Sequence, residues 1–109
     1  MANSEREAGG FRAPDPFMVQ AAGQSLSFYP AGADRREAMM AMLRAAKHSL
    51  KLSFYIFAED EVSREVRDAL AEAAARGVAV MLIIDRFGAV ASDRFLAPIR
   101  EAGGTCHCF

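Results

Sequence analysis

The run Val78-Ala79-Val80-Met81-Leu82-Ile83-Ile84 constrains this chain most, because it shows no alternation of apolar and polar positions. A strand with one wet face would alternate with a period of two. An unbroken apolar run therefore predicts a strand covered on both faces, as in a parallel sheet. Parallel neighbours cannot be joined by tight turns and need crossovers, usually helices. The flanking sequence supplies them.

Before the run, AEDEVSREVRDALAEAAARG (58–77) reads as a helix. Asp60 is its N-cap, Val62, Val66, Ala69, Leu70 and Ala73 form its buried stripe, and Gly77 suits the left-handed position after the last turn. Glu72 and Arg76 stand in the favourable i, i+4 order. After the run, Asp85 closes the strand, RFGAVA is a loop, and Ser92 caps a third helix reaching about Ala102 with Phe95, Leu96 and Ile99 inward. Pro98 either kinks that helix or moves its regular part to Ala97 and beyond, because a mid-helix proline lacks the amide donor. Gly103 and Gly104 end it, and TCHCF reads as a further strand.

Upstream, LKLSFYIF (50–57) alternates, with Leu50, Leu52, Phe54 and Ile56 on one side and Lys51, Ser53, Tyr55 and Phe57 on the other. ADRREAMMAMLRAAKHSL precedes it, with Asp34 and Glu37 in capping-box spacing. Met39, Met42, Leu43, Ala46 and Leu50 form its apolar stripe, and the methionines are read as core gap fillers rather than an adaptable binding face. SLSFY is a short strand stopped by PAG. Residues 1–24, with no sustained period and the turn-like APDPF, are read as an irregular leader, leaving 25–109 as the organised domain. Strand and helix then alternate throughout, which defines an α/β sheet with right-handed crossovers.

Bulk properties exclude more than they assign. A length of 109 residues suits one domain, and a net charge of −1 gives no global attraction to nucleic acid or anionic lipid. The apolar run at 78–84 is far short of the roughly 20 residues of a membrane-spanning helix. The N-terminus lacks the pattern of a secretory signal, and two cysteines near the C-terminus make no disulfide framework. These features lead us to expect a reducing, cytoplasmic setting.

Phosphate-loop, dinucleotide and nucleophile-elbow fingerprints are missing from the sequence. Asp85 follows a buried strand, where carboxylates can hold Mg²⁺, but Arg86 and Phe87 follow it and no second carboxylate lies in the loop. We read it as a strand-end cap. His48 is read as a surface residue at a helix end. Cys106 and Cys108 share one face of a strand with His107 opposite, so we read them as packing residues and expect no metal. Ligands of open α/β sheets gather beyond the carboxyl ends of the strands, here Phe57–Asp60, Asp85–Ser92 and the position after Phe109.

The segments GQSLSFYPAG, MMAMLRAAKHSLKLSFYIFAED, VRDALAEAAARGVAVMLIIDRFGAVAS and FLAPIREAGGTCHCF resemble the phospholipase D superfamily. They are most similar to the first half of the first catalytic repeat of cardiolipin synthases. Gly104, where the family usually has valine, the interrupting Pro98 and the loose GAVAS loop depart from that pattern. The resemblance implies an α/β fold, a phospholipase D-like mixed sheet flanked by helices and present only in part. It also implies a phosphatidyltransferase or phosphodiesterase working through a phosphohistidine, with no cofactor and no metal. The family's His-x-Lys signature is matched at neither His48 nor His107, so no catalytic residue is assigned in this chain. Tyr55, Phe57, Asp60, Asp85, Gly88 and Ser92 are the residues that could shape a substrate-pocket rim. Each also has a structural reading as packing, capping or turn. The implied partners belong to a parent protein: a phosphatidylglycerol-like phospholipid, the remaining catalytic half, and peripheral contact with the inner face of a membrane. A superfamily nuclease fragment, whose nucleic-acid substrate the charge disfavours, and a non-catalytic α/β interaction module are the alternatives. A partial sheet should carry an unpaired edge and an apolar face prone to association.

Overall fold

The computed structural model describes residues 7–8, 10–88 and 90–109, which divide into two units, Met1–Ala41 and Met42–Phe109. In the first unit, short strands β1 (Glu7–Ala8) and β2 (Phe11–Arg12) pair antiparallel, as do β3 (Phe17–Ala21) and β4 (Gln24–Phe28). The β3–β4 turn is made by Ala22 and Gly23, both at positive φ (50° and 76°), the twist that suits a two-residue hairpin. Phe17 lies opposite Phe28 with the rings stacked at 5.2 Å.

Two sequence expectations change here. Phe17–Ala21 is a strand rather than irregular leader, and SLSFY pairs with it instead of joining the parallel sheet. Both strands of this hairpin are exposed along their whole length, so FMVQA carries no periodic signature of burial to read.

The boundary between the units falls within helix α1 (Gly32–Ala45). Its first bond runs from the Arg35 amide to the Ala31 carbonyl, so Asp34 sits inside the first turn rather than capping it. The Arg35 guanidinium donates to the Tyr29 and Pro30 carbonyls at 3.2 and 2.7 Å. Met40 and Leu43 are the buried residues of this helix, whereas Met42 is 67 % exposed. The expected stripe through Met39 and Met42 is thus displaced around the helix.

The second unit is a three-stranded parallel sheet in the order β5 (Ser49–Phe54), β6 (Ala79–Ile84), β7 (Thr105–Cys108). Leu52, Leu82 and Cys106 lie in one row, as do Phe54, Ile84 and Cys108. Helix α2 (Glu61–Ala75) links β5 to β6 and α3 (Asp93–Glu101) links β6 to β7. The helices contact each other and the sheet, so both cover the same face. The core lies between them: Val66, Ala69, Leu70 and Ala73 of α2, Phe95, Leu96 and Ile99 of α3, and Val80, Leu82 and Ile84 of β6.

Helix ends explain the short connections. Gly77 and Gly103 take positive φ just past α2 and α3 (95° and 104°), where other residues would be strained. Arg76 does not need Glu72: its guanidinium donates to the Leu43 and Ala46 carbonyls at 3.3 and 3.1 Å, satisfying acceptors at the end of α1. Pro98 sits within a helix that starts at Asp93, and the Ala102 amide still donates to its carbonyl at 3.2 Å. Gly104 is buried, and a Cβ there would come within 2.7 Å of Ile99 Cγ2, so a side chain at this position would force its neighbours to shift.

The apolar run behaves differently from its expectation. Val80, Leu82 and Ile84 are buried, but Met81 and Ile83 are half-exposed and Ala79 is exposed. The central strand is fully covered on one face only. Among the described residues, the outer strands β5 and β7 each pair on one side only, with β6.

Candidate functional site

The carboxyl ends of the three strands meet at one end of the second unit, stitched by backbone bonds. The Asp85 amide donates to Phe54, the Phe109 amide to Ile84, and the Arg86 amide to Phe109, at 3.1, 3.0 and 2.6 Å. A cavity of about 340 Å³ opens there, lined by Ser53, Phe54, Tyr55, Ile83, Asp85 and Phe109. Tyr55 is 66 % exposed and Phe109 74 % exposed, so the opening combines aromatic surface with one carboxylate.

Asp85 is committed to its own loop, because its Oδ1 accepts from the Phe87 amide at 2.8 Å. That bond holds the turn through Gly88, whose Cα lies so close to Tyr55 that a Cβ would run into the Tyr55 carbonyl oxygen. The glycine is therefore demanded by close approach of the two strand-end loops. Asp60 and Ser92 act as N-caps: Asp60 Oδ1 accepts from the Ser63 amide at 2.8 Å and Ser92 Oγ from the Phe95 amide at 3.1 Å.

Phe57 needs correction as a rim residue. It is 2 % exposed, with its ring 5.2 Å from Phe54 and 6.1 Å from Phe95. The strand ends at Phe54, so the alternation stops before Ile56 and Phe57: Phe57 packs inward and Ile56 is left 69 % exposed. Of the six candidates, Tyr55 and Asp85 share one cavity, and Gly88 packs behind Tyr55. Ser92 lines two neighbouring cavities of about 300 and 310 Å³, Asp60 caps α2, and Phe57 is core.

Sequence reasoning missed Glu59. Its Oε1 accepts from both the Ser92 amide (2.9 Å) and the Ser92 hydroxyl (2.6 Å), tying the two loops together with the Val90 amide to Phe57 carbonyl bond. The Ser92 hydroxyl, then the Ser92 amide, holds the Glu59 carboxyl below its usual range. The Ser63 amide does the same for Asp60. A bond across 33 residues leaves no local signal.

At the sheet's last strand, Cys106 and Cys108 are half-buried on the helix-covered face and His107 is exposed opposite. Burial pushes the Cys106 thiol up. Among the described residues, no three His, Cys, Asp or Glu side chains are grouped to hold a metal. No helix among them is long and apolar enough to cross a membrane.

Comparison with known proteins finds relatives of one kind. The chain is 33 % identical over 79 residues to the major cardiolipin synthase ClsA of Bacillus subtilis, covering 72 % of this chain and 16 % of that protein. It is 40 % identical over 62 residues to cardiolipin synthase 1 of Bacillus cereus, covering 56 % and 12 %. It is 33 % identical over 67 residues to cardiolipin synthase A of Pseudomonas syringae, covering 61 % and 14 %. The chain thus spans about a sixth or less of the length of these curated relatives. No family model matches the chain, and no solved structure matches it significantly.

Proposed function

Since the chain is related to the cardiolipin synthases, and so to the phospholipase D superfamily, over more than half its length, we propose that it forms the early strand–helix layer of a phospholipid-active phosphatidyltransferase. Repeated similarity to cardiolipin synthases of both Bacillus and Pseudomonas supports this reading. The partial α/β layer, with a cavity where its parallel strands end, is compatible with it.

In this reading the chain is scaffold and rim. Residues 25–109 are the early part of the catalytic domain. Tyr55, Asp85, Gly88 and Ser92 shape the margin of a pocket for a phosphatidylglycerol-like substrate, with Asp60 supporting it as a helix cap. The reactive groups come from sequence other than this chain, whose His48 and His107 are each followed by residues that make no His-x-Lys pattern. Nucleophilic attack by a histidine on phosphorus, protonation of the leaving alcohol by a second, and lysine stabilisation of the charged transition state would all reside there. The chain alone would be inactive, and the assembled protein would work peripherally at the inner face of a membrane.

The test begins with the coding sequence beyond the Phe109 codon. A His-x-Lys motif with a nearby aspartate is expected there within a few dozen codons, and a sequence without one would overturn the proposal. The product of the complete coding sequence should convert phosphatidylglycerol. Cleavage of DNA with no action on phosphatidylglycerol would move the protein to the superfamily's nucleases.

A further inference from the structure

A second cavity, of about 310 Å³, lies beside the first turns of α2 and α3 and is lined by Glu59, Arg64, Arg67, Ser92, Arg94 and Phe95. Arg64 and Arg67 stand three apart on α2 and so share a face. Arg94 is the second residue of α3, and the Glu59–Ser92 bonds hold the two helix starts side by side.

The guanidinium groups are not equivalent. Arg67 is a fixed wall: it pairs with Asp68 at 2.9 Å and lies 4.6 Å over the Phe95 ring. Arg64 and Arg94 are exposed and extend the cationic lining outward. Glu59 is the one carboxylate in the lining, and its Oε1 is engaged by Ser92. With Arg67 balanced by Asp68, Arg64 and Arg94 against Glu59 still leave the lining cationic in a chain whose net charge is −1.

We infer that this cavity is a phosphate-binding site, accepting the phosphate group of a lipid headgroup or free inorganic phosphate. Two of the helix-start amides are already engaged, the Ser63 amide by Asp60 and the Phe95 amide by Ser92, so the recognition does not rest on them. The guanidinium forks of Arg64 and Arg94 carry it instead, since each can present paired donors to phosphate oxygens. Forks approaching from two helices favour a tetrahedral anion with several acceptor oxygens over a planar carboxylate. The site uses this chain's own residues and does not depend on the proposed transferase chemistry.

The test is an amide-resolved NMR titration of the full 109-residue chain with inorganic phosphate. Parallel sedimentation uses phosphatidylcholine vesicles with and without phosphatidylglycerol. Phosphate should shift the amides of Arg64 and of Ser92 to Phe95. Arg64→Gln with Arg94→Gln should weaken that binding about tenfold or more, and Arg94→Gln alone should weaken it by less. Arg86→Gln, which removes the same charge outside this cavity, should change it less than about twofold. Vesicle binding that needs phosphatidylglycerol and falls in the double variant identifies the headgroup source. Phosphate binding without vesicle binding identifies free phosphate. Wild-type amides that do not respond to phosphate, equal affinity in the double variant, or an equal loss with Arg86→Gln would overturn the inference.

Discussion

Leu82 and Ile83 are adjacent on the central strand and almost identical in hydrophobicity, yet the first is completely buried and the second half-exposed. On Leu82's face, α2 and α3 form a continuous core with Phe57, Leu70, Leu96 and Ile99. On Ile83's face the strands show Ser49, Lys51, Ser53, Thr105 and His107, all exposed. Covering by helices, and not the apolar character of the run, separates the two faces. The core of this unit therefore lies on one side of its sheet.

The largest expected effect probes that asymmetry directly. Leu82→Ala should destabilise the chain by about 2–5 kcal/mol through lost transfer energy and a residual cavity. Met81→Ala, one residue away on the other face, should cost under about 1 kcal/mol. Urea unfolding of the two variants checks the contrast, and equal losses would mean that both faces share the core.

Next in size is the approach of the two strand-end loops. Gly88→Ala drives a methyl into the Tyr55 carbonyl and should cost about 1–3 kcal/mol. Amide shifts should spread from Gly88 to Tyr55 and Ile56 while leaving Leu70 unchanged. Ser92→Ala removes the α3 cap and the hydroxyl bond to Glu59 while the bond from its backbone amide remains, with an expected loss of about 1–2 kcal/mol. The matching change Asp60→Ala, a cap without the second linkage, should fall at or below that value.

The smallest effect is in acid. Hydrogen bonds hold the carboxyls of Glu59 and Asp60 below their ordinary range in the folded chain. The folded state therefore binds protons less readily than the unfolded one, so the contribution is complete above that range and disappears as pH falls through the lowered values. Unfolding midpoints should drop in that acid window, and Ser92→Ala, which removes the larger of the two Ser92 contributions, should shrink the part due to Glu59. An unchanged profile in that variant would separate Glu59 from the loop linkage.

The sequence made the helix boundaries around this sheet readable because their signals are local. Asp60, Ser92, Gly77 and Gly103 each act within one turn, and each stands at the end where its chemistry is needed. The inward residues Phe95, Leu96 and Ile99 followed from their spacing on α3. What was misread depends on distant partners. The extent of cover over Met81 and Ile83 is set by which side the crossovers occupy. The place of Phe57 depends on where β5 stops. The arginine cavity combines two positions of α2 with one of α3, a grouping that only the packed helices create.

The central claim, that this chain is scaffold and rim without reactive groups of its own, is tested most directly by incubating the folded 109-residue chain with labelled phosphatidylglycerol. Lipid products are followed by chromatography and the protein by mass spectrometry. We predict no cardiolipin, no released phosphatidate and no phosphorylated histidine. Turnover accompanied by a phosphohistidine at His48 or His107 would contradict the account.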